Sequence, residues 1–127
     1  MSFAHLTLPT ENVAATSRFF QKVLRWKPLR MPGNIDIEAD WLEIADGQQL
    51  HLLGLEKVNR PDDEEFGRHY AFFHPSDDFE GVIQRIKENG CELLEPIRPT
   101  PFRRLFFRDP NGHLFELIDR DGYRVED

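Results

Sequence analysis

Cysteine is almost absent from this 127-residue chain, and the single Cys91 excludes an internal disulfide and a cysteine-rich zinc site. A reducing, cytoplasmic setting is expected for such a chain. No apolar run approaches the roughly 18–20 residues of a membrane span. The opening Met1-Ser2-Phe3-Ala4-His5 has no basic segment of the kind that starts a secretory signal. Positive charge is also scarce. Sixteen Lys and Arg against 23 Asp and Glu give a formal net charge of −7. That balance argues against nucleic acid as a partner, because phosphate binding needs a basic surface. Aromatic residues, by contrast, are plentiful: 11 Phe, two Trp and two Tyr can fill a sizeable core. The 39% hydrophobic content is that of a globular chain, not a disordered one, and the length suits one domain.

Periodicity divides the chain into two similar halves. Phe3 to Leu8 reads as a strand ended by Pro9, with Phe3, His5 and Thr7 on one face and Ala4, Leu6 and Leu8 on the other. Thr10 is the expected N-cap of a helix whose stripe is Val13, Phe19, Phe20, Val23 and Leu24. After breaks at Pro28 and Pro32-Gly33-Asn34, two extended segments follow, 35–45 and 49–55, around the turn Asp46-Gly47. Residues 56–68 are charged and read as a linker, and the run Asp62-Asp63-Glu64-Glu65 within them as a solvated loop.

The pattern then restarts. Residues 69–73 read as a strand. Asp77 and Glu80 have the spacing of a capping box, and Phe79, Val82, Ile83 and Ile86 predict a helix with one apolar face, stopped by Asn89-Gly90. Short strands are expected over 91–94, 103–108 and 113–119, the last two joined by the turn Asp109-Pro110-Asn111-Gly112. Phe20-Gln21-Lys22-Val23 is echoed 63 residues later by Ile83-Gln84-Arg85-Ile86. The matching order of elements predicts an α+β fold of two tandem βαβββ units. The first spans about 1–55 and the second about 69–120, joined by the linker 56–68 within one domain, 1–127.

Strand parity selects the residues able to carry chemistry. Glu116 alternates with Leu114 and Ile118 on the last strand, and a buried carboxylate there needs a partner. His5 and His69 each open a repeat, 64 residues apart, and His51 and Glu116 lie on each repeat's last strand, 65 apart. Three imidazoles and a carboxylate suit one divalent transition metal such as Zn, Ni, Fe or Mn. Any one of these histidines alone would more often be a hydrogen-bonded structural residue. Leu105 and Phe107 should pack on a helix, leaving Arg104, Phe106 and Arg108 on the cavity side. Arg104 is a candidate for gripping a substrate carboxylate or phosphate. Its plainer alternatives are exposure to solvent or pairing with Glu43. Trp41 and Glu43 are further substrate-binding candidates, Trp41 more simply a packing residue.

The segments His5-Leu6-Thr7-Leu8-Pro9 and Phe107-Arg108-Asp109-Pro110-Asn111-Gly112-His113-Leu114-Phe115-Glu116-Leu117 resemble the vicinal oxygen chelate superfamily. That superfamily includes glyoxalase I, bleomycin-resistance proteins, fosfomycin-resistance enzymes and extradiol dioxygenases. The helix exit Leu24-Arg25-Trp26 is similar too, with Arg25 where the family usually has glycine. The resemblance implies one glyoxalase/bleomycin-resistance/dioxygenase-type domain that binds a divalent metal through His5, His69 and Glu116. His51 falls at the variable fourth position, where bacterial-type glyoxalase I has a glutamate, leaving Glu116 as the candidate catalytic base. The implied function is a glyoxalase-like lyase or isomerase working through a metal-stabilised enolate on a small substrate with adjacent oxygens, in a homodimer. The alternatives are an Fe(II)-dependent ring-cleaving dioxygenase and a non-enzymatic drug-binding protein. The fosfomycin thiol transferases fit less well, because the polar potassium loop of that branch is replaced by Ile97-Arg98-Pro99-Thr100-Pro101-Phe102.

Overall fold

The computed structural model describes residues 1–126 and shows two compact units, Met1–Asn59 and a second that begins at Arg60. Each has the expected βαβββ order. In the first unit these are β1 (His5–Thr10), α1 (Val13–Val23), β2 (Lys27–Pro28), β3 (Ala39–Ala45) and β4 (Gln48–Gly54). The sheet order is β1-β4-β3-β2, with β1 parallel to β4 and the other pairs antiparallel. One sheet face carries Leu8, Leu42, Leu50 and Leu52, all buried with Phe19, Phe20 and Val23 of α1. The other carries His5, Thr7, Trp41, Glu43, Gln49 and His51, as the pairings Thr7 to His51 and Trp41 to His51 require.

Local expectations fail here where an edge position or a neighbour overrides them. Pro9 does not end β1; the strand runs on to Thr10. β1 lies at the sheet edge, where a residue lacking an N–H costs little. Thr10 does not cap α1. The cap is Asn12, whose Oδ1 accepts from the Ala15 amide at 3.0 Å, while the Thr10 hydroxyl lies 2.8 Å from that of Thr16. Glu11 instead accepts from the Val58 amide. β2 escapes sequence reading because two residues have no periodicity. At the exit of α1, Arg25 has φ of +60°, the left-handed conformation that glycine adopts at lower cost.

The second unit comprises β5 (Tyr70–His74), a 3₁₀ turn at Ser76–Asp78, α2 (Phe79–Glu88), β6 (Leu93–Leu94), β7 (Arg104–Arg108) and β8 (Leu114–Asp119). Its sheet order, β5-β8-β7-β6 with β5 parallel to β8, repeats that of the first unit. Leu105, Phe107, Phe115 and Leu117 are buried with Phe79, Val82 and Ile86 of α2. The Asp77–Glu80 capping box does not form. Asp78 occupies the N-cap position without a side-chain cap, because its carboxylate takes two hydrogen bonds from Arg85, at 2.6 and 3.0 Å, and one contact with His74 at 2.9 Å. The Arg85 hydrogen bonds hold the Asp78 carboxyl well below the usual range, against the opposing effect of burial. The expected turn at 109–112 is present. Asp109 Oδ1 accepts from the amides of Asn111 and His113, and Gly112 has φ of +91°. A Cβ there would lie 2.6 Å from Arg60 Cγ, so any other residue would have to displace the Arg60 side chain as well as adopt this conformation.

Candidate metal centre

In the second unit, β8 holds Glu116 on the face opposite α2, directly across from Phe106 of β7 and Ala71 of β5. His69 stands two residues before Ala71, so the period of two brings its side chain to the same face. His69 Nε2 and Glu116 Oε1 are 3.1 Å apart, and the ring of His69 meets the edge of Phe106. The chemistry of this donor pair fits a divalent ion. Imidazole nitrogen and carboxylate oxygen are the donors that Zn, Ni, Fe and Mn accept.

The other carboxylate oxygen of Glu116 is occupied. Arg104 Nη1 donates to Oε2 at 3.1 Å, and Arg104 Nη2 donates to Glu65 Oε2 at 3.0 Å and to the Arg98 carbonyl. Arg104 is therefore neither solvated nor paired with Glu43. It is a buried bridge between two carboxylates, with both terminal nitrogens engaged, and its role as a free anion clamp has no support in this arrangement. Glu65 is the residue beside this site that sequence reasoning misses. Three members of its acidic run are exposed or partly so, but Glu65 is buried, accepting from the amides of Ile97 and Arg98 at 2.6 and 2.9 Å. Burial alone would raise its carboxyl; the two amides and Arg104 outweigh that and hold it at about 2. The available signal was Arg104 itself, a cation at an inward-facing strand position that demands a buried counter-charge.

The first unit places His5, His51 and Trp41 together as a stack. The His51 ring lies 3.9 Å from His5 and 3.8 Å from Trp41, within 14° and 4° of parallel. His51 Nε2 is 2.8 Å from Gln49 Oε1, an atom that only accepts, so Nε2 carries the proton and Nδ1 the lone pair. Burial, and then the nearby His5, lower the His51 pKa and favour the neutral ring. An ion sits in the plane of the imidazole that binds it. Two stacked rings have no shared plane, so His5 and His51 serve one ion together only if one of them leaves the stack. Glu43 lies on the same face, opposite Gln49, and its carboxylate makes no hydrogen bond or ion pair among the described residues. Among the described residues, no group of three or more His, Cys, Asp or Glu side chains is gathered to hold a metal. The expected ligands stand as two pairs, His5 with His51 and His69 with Glu116.

Paired βαβββ units, one of them with a histidine–carboxylate pair on the helix-free face of its sheet, define the class of α+β fold to which the chain belongs. Residues 2–117 match the model of the Glyoxalase/Bleomycin resistance protein/Dioxygenase superfamily, and the chain belongs to that superfamily. Among similar proteins, Glyoxylase I 4 of Arabidopsis thaliana is 27% identical over 98% of this chain and 74% of its own length. Fosfomycin resistance protein FosX of Listeria monocytogenes is 25% identical over 90% of this chain and 86% of its own. A crystal structure of that FosX complexed with Mn(II) and a sulfate ion shares the fold with a TM-score of 0.73, at 24% identity, covering 93% of this chain and 89% of the other. Among the described residues, no helix is long and apolar enough to cross a membrane.

Proposed function

We propose that this chain is a divalent-metal-dependent enzyme of the glyoxalase-like type, a lyase or isomerase acting on a small substrate with adjacent oxygens. The observation that carries the reading is the 3.1 Å pair of His69 and Glu116, with the second Glu116 oxygen tied to buried Arg104. His69 and Glu116 would hold the ion, and the resemblance implies His5 as a further ligand. When bound, the ion supplies Lewis acidity toward adjacent substrate oxygens and stabilises negative charge developing there.

The chain's own residues supply the rest. Arg104 holds Glu116 in one rotamer, so its Oε1 is presented and its Oε2 is not. Trp41 and His51 back the ring of His5. Glu116, as the resemblance implies, is the candidate base that takes a proton from a substrate carbon, and Glu43, with its carboxylate unpaired, is a candidate for binding substrate. In the second unit a cavity of about 150 Å³ is lined by Leu94, Ile97, Phe106 and Leu114 together with Glu64, Glu65 and Glu95, so it offers room for a small substituent beside an acidic rim. Membership of the superfamily supports a metal-dependent reading, the lone Cys91 suits a reducing, cytoplasmic setting, and the resemblance supports a homodimer.

A second reading, an Fe(II)-dependent ring-cleaving dioxygenase, is favoured by the stack. With His51 held there, the ligands reduce to two histidines and one carboxylate, the set of non-haem iron oxygenases. The two readings separate in one experiment. Protein loaded with Ni(II), Zn(II), Mn(II) or Fe(II) is assayed against 2-oxoaldehyde–thiol adducts and against aromatic vicinal diols, with and without oxygen. Oxygen-independent turnover of the adducts supports the first reading. Turnover of diols confined to Fe(II) and consuming oxygen replaces it with the second. No turnover with any metal overturns both.

A further inference from the structure

We infer that Glu65 is a positioning residue for the metal centre: through Arg104 it sets both the orientation of Glu116 and the share of positive charge that Glu116 feels. The inference rests on reading His69 and Glu116 as ligands. The connection is continuous and short. The amides of Ile97 and Arg98 fix both oxygens of Glu65, Glu65 Oε2 accepts from Arg104 Nη2, Arg104 Nη1 donates to Glu116 Oε2, and Glu116 Oε1 faces His69. The guanidinium is further constrained by the Arg98 carbonyl and by the Phe106 ring, 5.3 Å away. A planar guanidinium held at both ends cannot rotate, so the oxygen of Glu116 that it grips is fixed and the other is left to face outward.

Charge gives Glu65 a role beyond packing. One buried arginine on one buried carboxylate would neutralise Glu116 and weaken it as a ligand for a cation. A second carboxylate on the same arginine leaves the cluster with a net negative charge. Glu65 keeps that charge at little conformational risk, since two backbone amides and Arg104 satisfy its oxygens. A neutral residue of the same shape would leave Arg104 pulling on Glu116 alone. Groups that orient metal ligands in this way typically contribute about 10–100-fold to metal affinity.

Mn(II) alone, titrated calorimetrically into the full chain, tests this, with circular dichroism melts run in parallel. Glu65→Gln should weaken Mn(II) binding by about 10–100-fold. In an Arg104→Gln background the same Glu65→Gln change should alter affinity by less than about twofold, because the route to Glu116 is gone. A purely structural Glu65 would give the same loss in both backgrounds, and that result overturns the inference. So does unchanged affinity in a folded Glu65→Gln. If Glu65→Gln does not fold, Arg104→Lys takes its place: it keeps the charge but cannot bridge both carboxylates. A loss of about tenfold or more supports the inference, and wild-type affinity overturns it. Wild-type protein that binds no Mn(II), Ni(II) or Zn(II) refutes the reading of the site as a metal centre and takes this inference with it. Wild-type binding with an unmoved variant refutes the inference alone.

Discussion

Replacing Arg104 with methionine would leave Glu65 and Glu116 as two buried carboxylates with no cation between them. The three side chains are 4%, 7% and 8% exposed, so solvent cannot take over the lost pairing. Removing one partner of a buried ion pair costs about 3–5 kcal/mol. At about 4 °C per kcal/mol for a chain of this size, the melting temperature should fall by about 12–20 °C at pH 7. Arg103→Met is the internal control. Its partner is Glu80, and the two side chains are 47% and 79% exposed, so the loss should stay below about 1 kcal/mol, or about 4 °C. The acid limb adds a second signature. Glu65 is held at about 2 in the fold against an ordinary value of 4.5, so its stabilisation is complete above about pH 4.5 and is lost as pH falls toward about 2. Arg104→Met should flatten that limb only in part, because the Ile97 and Arg98 amides, which lower the carboxyl most, remain. Differential scanning calorimetry of both variants between about pH 2 and pH 7 reads all of this. Equal losses in Arg103→Met and Arg104→Met, or a loss under about 3 °C in the latter, would refute the buried-bridge account.

Other outcomes follow from the same geometry. Arg25→Gly should raise stability by up to about 1 kcal/mol in urea denaturation, since the φ of +60° no longer strains a side chain. Phe115→Ala, at a fully buried site, should cost about 3–5 kcal/mol in the same assay. His51→Ala should weaken Mn(II) binding by about tenfold through loss of the ring behind His5, whereas His5→Ala should abolish it; equal losses by calorimetry would make His51 a ligand in its own right. Sedimentation at micromolar protein should show a homodimer, and a monomer would contradict that expectation.

The topology was legible because the patterns that specify it are long and local. Two helical stripes, alternating strands and the Asp-Pro-Asn-Gly turn suffice for paired βαβββ units. Boundaries were not, and each miss has a physical source. Pro9 reads as a stop unless one knows that β1 is an edge strand. Thr10 reads as a cap unless Asn12 is seen to be free to take the position. Of the candidate site, parity and the repeat singled out Glu116, His69, His5 and His51 and set Trp41 and Glu43 on the cavity side of their strand. Glu65 lay beyond reach of parity, in a polar run without periodicity, with a partner 39 residues further along the chain. The stack was also hidden, because parity assigns a face but not a rotamer, and two histidines on one face can stack as readily as converge.

Metal stoichiometry tests the central claim most directly. Protein purified without chelator, reloaded with Mn(II), Ni(II), Zn(II) or Fe(II) and measured by elemental analysis, should hold one ion per chain. Glu116→Ala and His69→Ala should hold none while keeping the wild-type circular dichroism spectrum. Failure of every one of these metals to bind wild-type protein at micromolar concentration, or full retention of the ion by Glu116→Ala, would contradict the account.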